Sequence, residues 1–182
     1  MPTENELKFL LNLEVEPQFE GIAKPLHIWQ GYPSAVRGMT VRVRRVWDGL
    51  NNTFMFTYKN NTGSRVIEIE QEIDERDYTD LWNQSLVRFE KIRYKYAAPY
   101  KGWEVDFFKD HGDHTYFAMA ECEMPEGQKE PDKIPKLVKN NLLFAVPASD
   151  ERFSSKLLAD PRYAIKLLEE VKANERRSQA AK

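Results

Sequence analysis

The chain has 182 residues, of which 31% are charged, and a net charge of -2. That length fits one domain with a substantial core, and the near-neutral balance argues against a nucleic-acid or membrane partner. Cys122 is the only cysteine, which excludes an intrachain disulfide and a cysteine zinc site. No apolar run approaches the roughly 20 residues that cross a bilayer, and the acidic, polar start is unlike a signal peptide, so a cytoplasmic protein is expected.

In chain order, Glu4, Glu6 and Lys8 alternate with Asn5, Leu7 and Phe9. In a strand, residues two apart share a face, so residues 4–12 read as a strand with two carboxylates and an ammonium on one side. Residues 13–29 are expected to connect it to a strand region opened by Gln30-Gly31-Tyr32, and residues 33–38 read as a turn. Arg42 and Arg44 then alternate with Val41 and Val43. Phe54 to Lys59 reads as an aromatic-rich strand, and Asn60 to Gly63 as a hairpin turn. In residues 65–73, Glu68, Glu70 and Glu72 take one parity and Ile67, Ile69 and Ile73 the other. Asp74 is a good helix N-cap, and Tyr78, Leu81, Trp82, Ser85 and Leu86 recur at helical spacing, which predicts a helix over 75–87.

Strands resume at residues 89–96, 103–108 and 115–124. The first sets Lys91, Arg93 and Lys95 opposite Ile92, Tyr94 and Tyr96. The second carries Glu104 and Asp106 on one parity, and the third Glu121 and Glu123. His111 and His114 fall in a polar hairpin turn, a better reading than a metal pair. Helices are expected over about 132–175. Asp160-Pro161 marks the start of the last one, and residues 176–182 are expected to fray.

The charge parity is unusual. Arg-x-Arg, Lys-x-Arg, Glu-x-Glu-x-Glu and Glu-x-Glu each repeat one sign along one strand, and like charges side by side repel. Such rows make sense where cationic and anionic strands face one cavity. The opposite, apolar faces need a cover, which the helices at 75–87 and 132–175 can supply. The expected fold is α+β: an antiparallel barrel that is polar within and apolar without, its helices packed outside. Cations confined together call for an anion and carboxylates for a cation, and a polyphosphate carrying divalent metal meets both demands. The number of carboxylates allows two metal positions.

Glu4-x-Glu6-x-Lys8, Gln30-Gly31-Tyr32, Arg42-x-Arg44, a strand ending in Lys59, Glu68-x-Glu70, Lys91-x-Arg93-Tyr94, Asp106 and Glu121-x-Glu123 follow one another in an order that resembles the CYTH superfamily, the triphosphate tunnel metalloenzymes. The resemblance covers about residues 4–124. It implies an eight-stranded antiparallel tunnel within one domain over residues 1–182, two Mg or Mn ions, and a small-molecule triphosphate ligand. Tripolyphosphate, thiamine triphosphate and nucleoside triphosphates are the candidates. By that likeness Glu4, Glu6, Glu121 and Glu123 would hold metal, with Glu68, Glu70 and Asp106 counted beside them. Lys8, Arg42, Arg44, Lys59 and Arg93 would grip phosphates, and Lys91 would activate water. The likeness also suggests a homodimer. Metal-dependent hydrolysis of tripolyphosphate is the expected activity. The alternatives are a class IV adenylate cyclase, disfavoured because no His-Phe pair precedes the Glu4 motif, and a non-catalytic polyphosphate-binding module.

Several charged or ligand-type residues are expected to do nothing chemical. Glu72 reads as an exposed edge, Glu104 and Lys95 as surface residues near turns, Cys122 as a buried thiol, and Trp82 and Trp103 as core. Arg152 or Lys156 is a candidate to close the tunnel.

Overall fold

The computed structural model describes residues 5–19, 21–34, 39–62 and 66–180. Among the described residues nine strands form one sheet, and every pairing in it is antiparallel. The strands are β1 (Glu6–Leu11), β2 (Pro25–Ser34), β3 (Met39–Trp47), β4 (Asn52–Asn61), β5 (Val66–Glu72), β6 (Val87–Lys95), β7 (Trp103–Lys109), β8 (Thr115–Glu123) and β9 (Leu142–Val146). Their order across the sheet is β5-β4-β3-β2-β6-β7-β8-β1-β9. Four α-helices accompany them: α1 (Glu75–Gln84), α2 (Lys136–Asn140), α3 (Ser155–Leu158) and α4 (Pro161–Ala180).

The closed eight-stranded barrel expected from the sequence is not what forms among the described residues. One edge of β1 pairs with β8 and the other with β9, so β1 has no edge left for β5. Leu142 to Val146 was expected within a helix. It is a run of five residues without a charge, and as a strand it satisfies backbone groups along β1 that would otherwise be bare.

The helix signals translate directly. Asp74 Oδ1 accepts from Asp77 N–H at 2.8 Å, and Asp160 Oδ1 accepts from Arg162 N–H at 2.9 Å. Helix α4 runs on to Ala180 rather than fraying at 176, through a stretch of Asn, Glu, Arg and Ala in which strong helix formers dominate. The stretch from 13 to 29 is more ordered than a connection: Leu13–Phe19 is a 3-10 helix burying Val15 and Phe19, and β2 begins at Pro25. Pro33 and Ser34 belong to β2, and Asn60 and Asn61 to β4, so neither segment is a turn at those positions. The remaining turn positions, 35–38 and 63, lie outside the described residues, as does the start of the Glu68 strand at Arg65.

Residues directly opposite each other in a ladder share a face. On one face the registers align Glu68 with Lys59, Glu70 with Thr57 and Arg42, and Arg44 with Gln30 and Phe89. Farther across, the same face aligns Arg93 with Asp106, Met119 and Leu10, and Glu104 with Glu121 and Lys8. It is therefore charged toward one end and apolar toward the other. Leu10, Phe89, Phe108, Phe117 and Met119 cluster with Phe153, Leu158, Leu167, Leu168 and Val171 of the C-terminal segment. The rings of Phe117 and Phe153 lie 6.3 Å apart, and Tyr116 Oη donates to the carbonyl of Leu158 at 3.0 Å.

Helices α3 and α4 thus pack on the apolar half of the charge-bearing face. The expectation that all helices lie outside holds for α1 and α2 only. The other sheet face buries Phe9, Leu11, Trp103, Val105, Phe107, Ala118, Ala120 and Cys122 with Val15, Phe19 and Val138. No helix among the described residues is long and apolar enough to cross a membrane.

Helix α1 sits close on β2 because Gly31 has no side chain. A Cβ there would lie 2.5 Å from Ser85 Oγ, 3.1 Å from Ser85 Cβ and 3.1 Å from Trp82 Cε3. Gly31→Ala should lower the unfolding free energy by about 2 kcal/mol through overpacking, seen as a shift of the denaturant midpoint at unchanged slope.

Candidate active site

The charged half of the inner face surrounds a cavity of about 460 Å³. Eight cationic side chains line it: Lys8, Arg42, Arg44, Lys59, Lys91, Arg93, Lys95 and Lys156. Four glutamates do so too: Glu6, Glu104, Glu121 and Glu123. The period-two spacing of each strand puts both members of a pair on this face. The antiparallel registers then bring the pairs together.

Its centre is Asp106, fully buried on β7. Its Oδ1 accepts from Arg93 Nε at 2.6 Å, and its Oδ2 accepts from Arg93 Nη2 and from Lys91 Nζ, each at 2.6 Å. Both oxygens expected to hold metal are thereby committed to two cations. Burial opposes the Asp106 charge, but Arg93 and Lys91 outweigh it and hold the carboxyl far below the usual carboxylate range. Arg93 also contacts Glu104, and Glu121 at 3.4 Å. Burial disfavours the Arg93 charge, yet Asp106 with the two glutamates raises its pKa on balance.

Lys91 is 2% exposed. Burial lowers its pKa first and the neighbouring Arg93 second. Asp106 and Glu121 pull the other way, and the balance falls at about 8. The Lys91 ammonium also lies 5.6 Å from the centre of the Phe108 ring, at the border of the apolar half.

The phosphate-type cations from β3 and β4 have looser partners. Arg42 Nη2 donates to Thr57 Oγ1 at 3.2 Å and to Glu70 Oε2 at 3.3 Å, while its Nε–H is buried with no hydrogen-bond partner among the described residues. Arg44 Nε donates to Gln30 Oε1 at 3.0 Å. Burial, then Arg42 and Arg93, bring Arg44 down to about 10. Lys59 lies 3.7 Å from Glu68. The two β5 carboxylates named from the sequence as metal-type residues therefore face cations of β3 and β4.

On the other flank, β1 against β8 sets Glu6 opposite Glu123 and Lys8 opposite Glu121. Lys8 Nζ lies 2.9 Å from Glu6 and 3.7 Å from Glu121. Burial raises the Glu121 pKa, and Asp106 raises it further. Glu4 lies outside the described residues. Among the described residues, no three Asp, Glu, His or Cys side chains converge closely enough to hold a metal ion. In kind, the set from Glu6, Glu121 and Glu123 is all carboxylate oxygen. Carboxylate oxygen is the ligand type that a hard divalent cation takes.

Glu104, expected at the surface, belongs to the site, whereas Lys95 is exposed as expected and stands at its rim. Glu104 bridges Arg93 and Lys95, the latter at 2.7 Å, and both line the cavity. The parity of Glu104 with Asp106 carried the signal, and nearness to turns masked it. Gln30, Tyr32 and Thr57 were not singled out as site residues and are buried against it. Lys156 reaches the cavity, whereas Arg152 is turned to Asp150. His114 is exposed and pairs at 3.4 Å with Asp110, which also caps the turn through the His114 and Gly112 N–H groups.

No family model matches the chain. The inorganic triphosphatase of Acetivibrio thermocellus is 29% identical over 156 residues, spanning 79% of this chain and 94% of that protein. The crystal structure of the inorganic triphosphatase NE1496 superposes with a TM-score of 0.53 at 24% identity, covering 86% of this chain and 97% of that one. A second NE1496 crystal structure, described as that of a hypothetical protein, gives 0.54. The chain thus shares the fold of the NE1496 triphosphatase and is similar in sequence to that of Acetivibrio thermocellus.

Proposed function

We propose that the chain is a metal-dependent triphosphatase acting on a short-chain triphosphate, with inorganic tripolyphosphate as the substrate that suits the site best. The observation that carries this reading is the gathering of eight cationic side chains of the described residues on one cavity, with the Arg42 Nε–H buried and, among the described residues, unpartnered. Cations crowded in this way repel one another and favour a polyanion among them. The activity of the Acetivibrio thermocellus relative points the same way.

In this reading Arg42 and Arg44 fork onto phosphoryl oxygens, and Lys8 and Lys59 add point charges at the ends. Every nitrogen of Arg93 faces a carboxylate. Its main effect is to keep the surroundings of Lys91 positive. Glu6, Glu121 and Glu123, with Glu4, would hold Mg or Mn, and the ion when bound neutralises phosphate charge and polarises a phosphoryl oxygen. Lys91 in its neutral form takes the proton of the attacking water at Nζ, and Asp106 Oδ2 receives the resulting ammonium. The remaining cations hold the charge that develops on the transferred phosphoryl oxygens.

Tripolyphosphate, thiamine triphosphate and ATP, each with Mg and with Mn, form the test. Phosphate released from tripolyphosphate supports the assignment. Cyclic AMP from ATP as the main product makes the protein a lyase, and metal-dependent binding without turnover makes it a binding module. A base with a pKa of about 8 is neutral above that pH, so kcat/KM should rise as pH passes through about 8. Lys91→Ala should remove that limb and cut kcat by about 10²–10⁴ with a smaller change in KM. A pH–rate profile of both proteins checks it.

Glu121→Gln should raise the half-saturating metal concentration at least about tenfold while leaving the melting temperature nearly unchanged, since burial already favours the neutral carboxyl. Metal titration with a melting curve reads both. Asp106→Asn leaves two buried cations without their counter-ion, and should lower the unfolding free energy by about 3–5 kcal/mol in denaturant titration.

A further inference from the structure

Thr57 joins two charges of the inner face through a single hydroxyl. The ladders set Arg42 on β3, Thr57 on β4 and Glu70 on β5 opposite one another, in one row across three strands. Arg42 Nη2 donates to Thr57 Oγ1 at 3.2 Å, and Thr57 Oγ1 donates to Glu70 Oε2 at 2.9 Å. The same Glu70 oxygen accepts from Arg42 Nη2 at 3.3 Å, which closes a triangle. Chemistry fixes the direction of each bond. A guanidinium can only donate and a carboxylate only accept, so the one hydrogen of the Thr57 hydroxyl goes to Glu70 and a lone pair to Arg42.

The three members differ in how firmly they are held. Thr57 is 3% exposed on a strand paired along both edges, and its branched Cβ restricts the hydroxyl to few directions. Glu70 stands on β5, at the end of the strand order, with its side chain 42% exposed. Arg42 is a long side chain with many rotamers. The short buried residue therefore supplies the reference point for the two long ones. Of the three, only Arg42 lines the charged cavity, so Thr57 and Glu70 act on a ligand there through it. An arginine fixed before its ligand arrives loses less freedom on binding. The Glu70 oxygen that Arg42 and Thr57 share is already engaged by both, which gives a structural place to a carboxylate that the charge pattern marks as a metal type.

We propose that Thr57 is a positioning residue: together with Glu70 it holds the Arg42 guanidinium in place for a phosphoryl group, which puts Glu70 on the phosphate side of the site and not among the metal ligands. This rests on the triphosphate reading of the cavity and adds to it a residue that carries no charge and belongs to none of the paired-charge motifs.

Thr57→Val keeps the branched shape and removes the hydroxyl. With tripolyphosphate and Mg, KM should rise about three- to tenfold, as for loss of one hydrogen bond. The kcat should change by less than about twofold, because Arg42 holds substrate and transition state alike. Thr57→Ser returns the hydroxyl and should recover most of the loss in KM. Should Thr57→Val fail to fold, Glu70→Ala on the exposed end strand carries the test. It should raise KM in the same way and leave Mg affinity, read by calorimetry, nearly unchanged. In both variants the thermal stabilisation given by tripolyphosphate without metal should shrink. A lysine at 42 has no guanidinium to orient, so Thr57→Val added to Arg42→Lys should cost little more. An unchanged KM in Thr57→Val, an undiminished effect in the Arg42→Lys background, or a loss of Mg affinity of about tenfold or more in Glu70→Ala overturns the proposal while leaving the triphosphatase reading intact. Wild-type protein that neither turns over tripolyphosphate nor is stabilised by it overturns both.

Discussion

A single buried carboxylate makes the rest of the cavity affordable. Asp106 has no access to water, and its two oxygens hold one guanidinium and one ammonium at 2.6 Å. Without it, Lys91 and Arg93 would be two buried like charges on one face of one strand, where repulsion and desolvation act together. With it, Arg93 stays fully charged while Lys91 is left near its titration point. The difference follows from geometry. Arg93 takes the fork contact and two further glutamates, whereas Lys91 takes one oxygen and sits against Phe108. One anion therefore sets two cations to different tasks.

The carboxylates of the site divide by what they face. Glu68 and Glu70 on β5, and Glu104 on β7, are set against Lys59 of β4, Arg42 of β3 and Arg93 of β6. Glu6, Glu121 and Glu123 gather on the β1–β8 ladder, with Lys8 2.9 Å from Glu6 and Arg93 3.4 Å from Glu121. Burial raises the Glu121 pKa, the opposite condition to that of Asp106 on the adjacent strand β7. The site thus keeps one carboxylate firmly ionised beside another whose burial raises its pKa.

Much of this was legible before any coordinates. Alternation of like charges in Arg42-x-Arg44, Lys91-x-Arg93 and Glu121-x-Glu123 fixed which side chains share a face, because side-chain direction in a strand is strictly local. Helix α1 and the start of α4 were readable from caps at Asp74 and Asp160 for the same reason. What the sequence hid was non-local. Leu142 to Val146 has no period of its own, and the free edge of β1 makes it a strand. Phe117 and Met119 share parity with Glu121 and Glu123, so no local rule says that the face changes character along the strand. Glu104 was set aside for its nearness to a turn, though its place beside Arg93 depends only on the β6–β7 register.

That change of character explains why the C-terminal helices lie inside rather than outside. A sheet face with charges throughout would repel an apolar helix, and one apolar throughout would leave no cavity. Here the apolar half, from Leu10 to Phe117, is covered by Phe153, Leu158 and the Leu167, Leu168 and Val171 stripe of α4. That packing brings Ser154, Ser155 and Lys156 to the boundary with the charged half. The hydrophobic contact thus does two things with one set of residues. It stabilises the C-terminal segment through burial of apolar area, and it ends the cavity with a polar wall whose position is set by core packing rather than by a loop. The cavity's width is then a property of the sheet registers and its length a property of the helix packing. Strand residues control the former and C-terminal residues the latter, so the two dimensions can change independently.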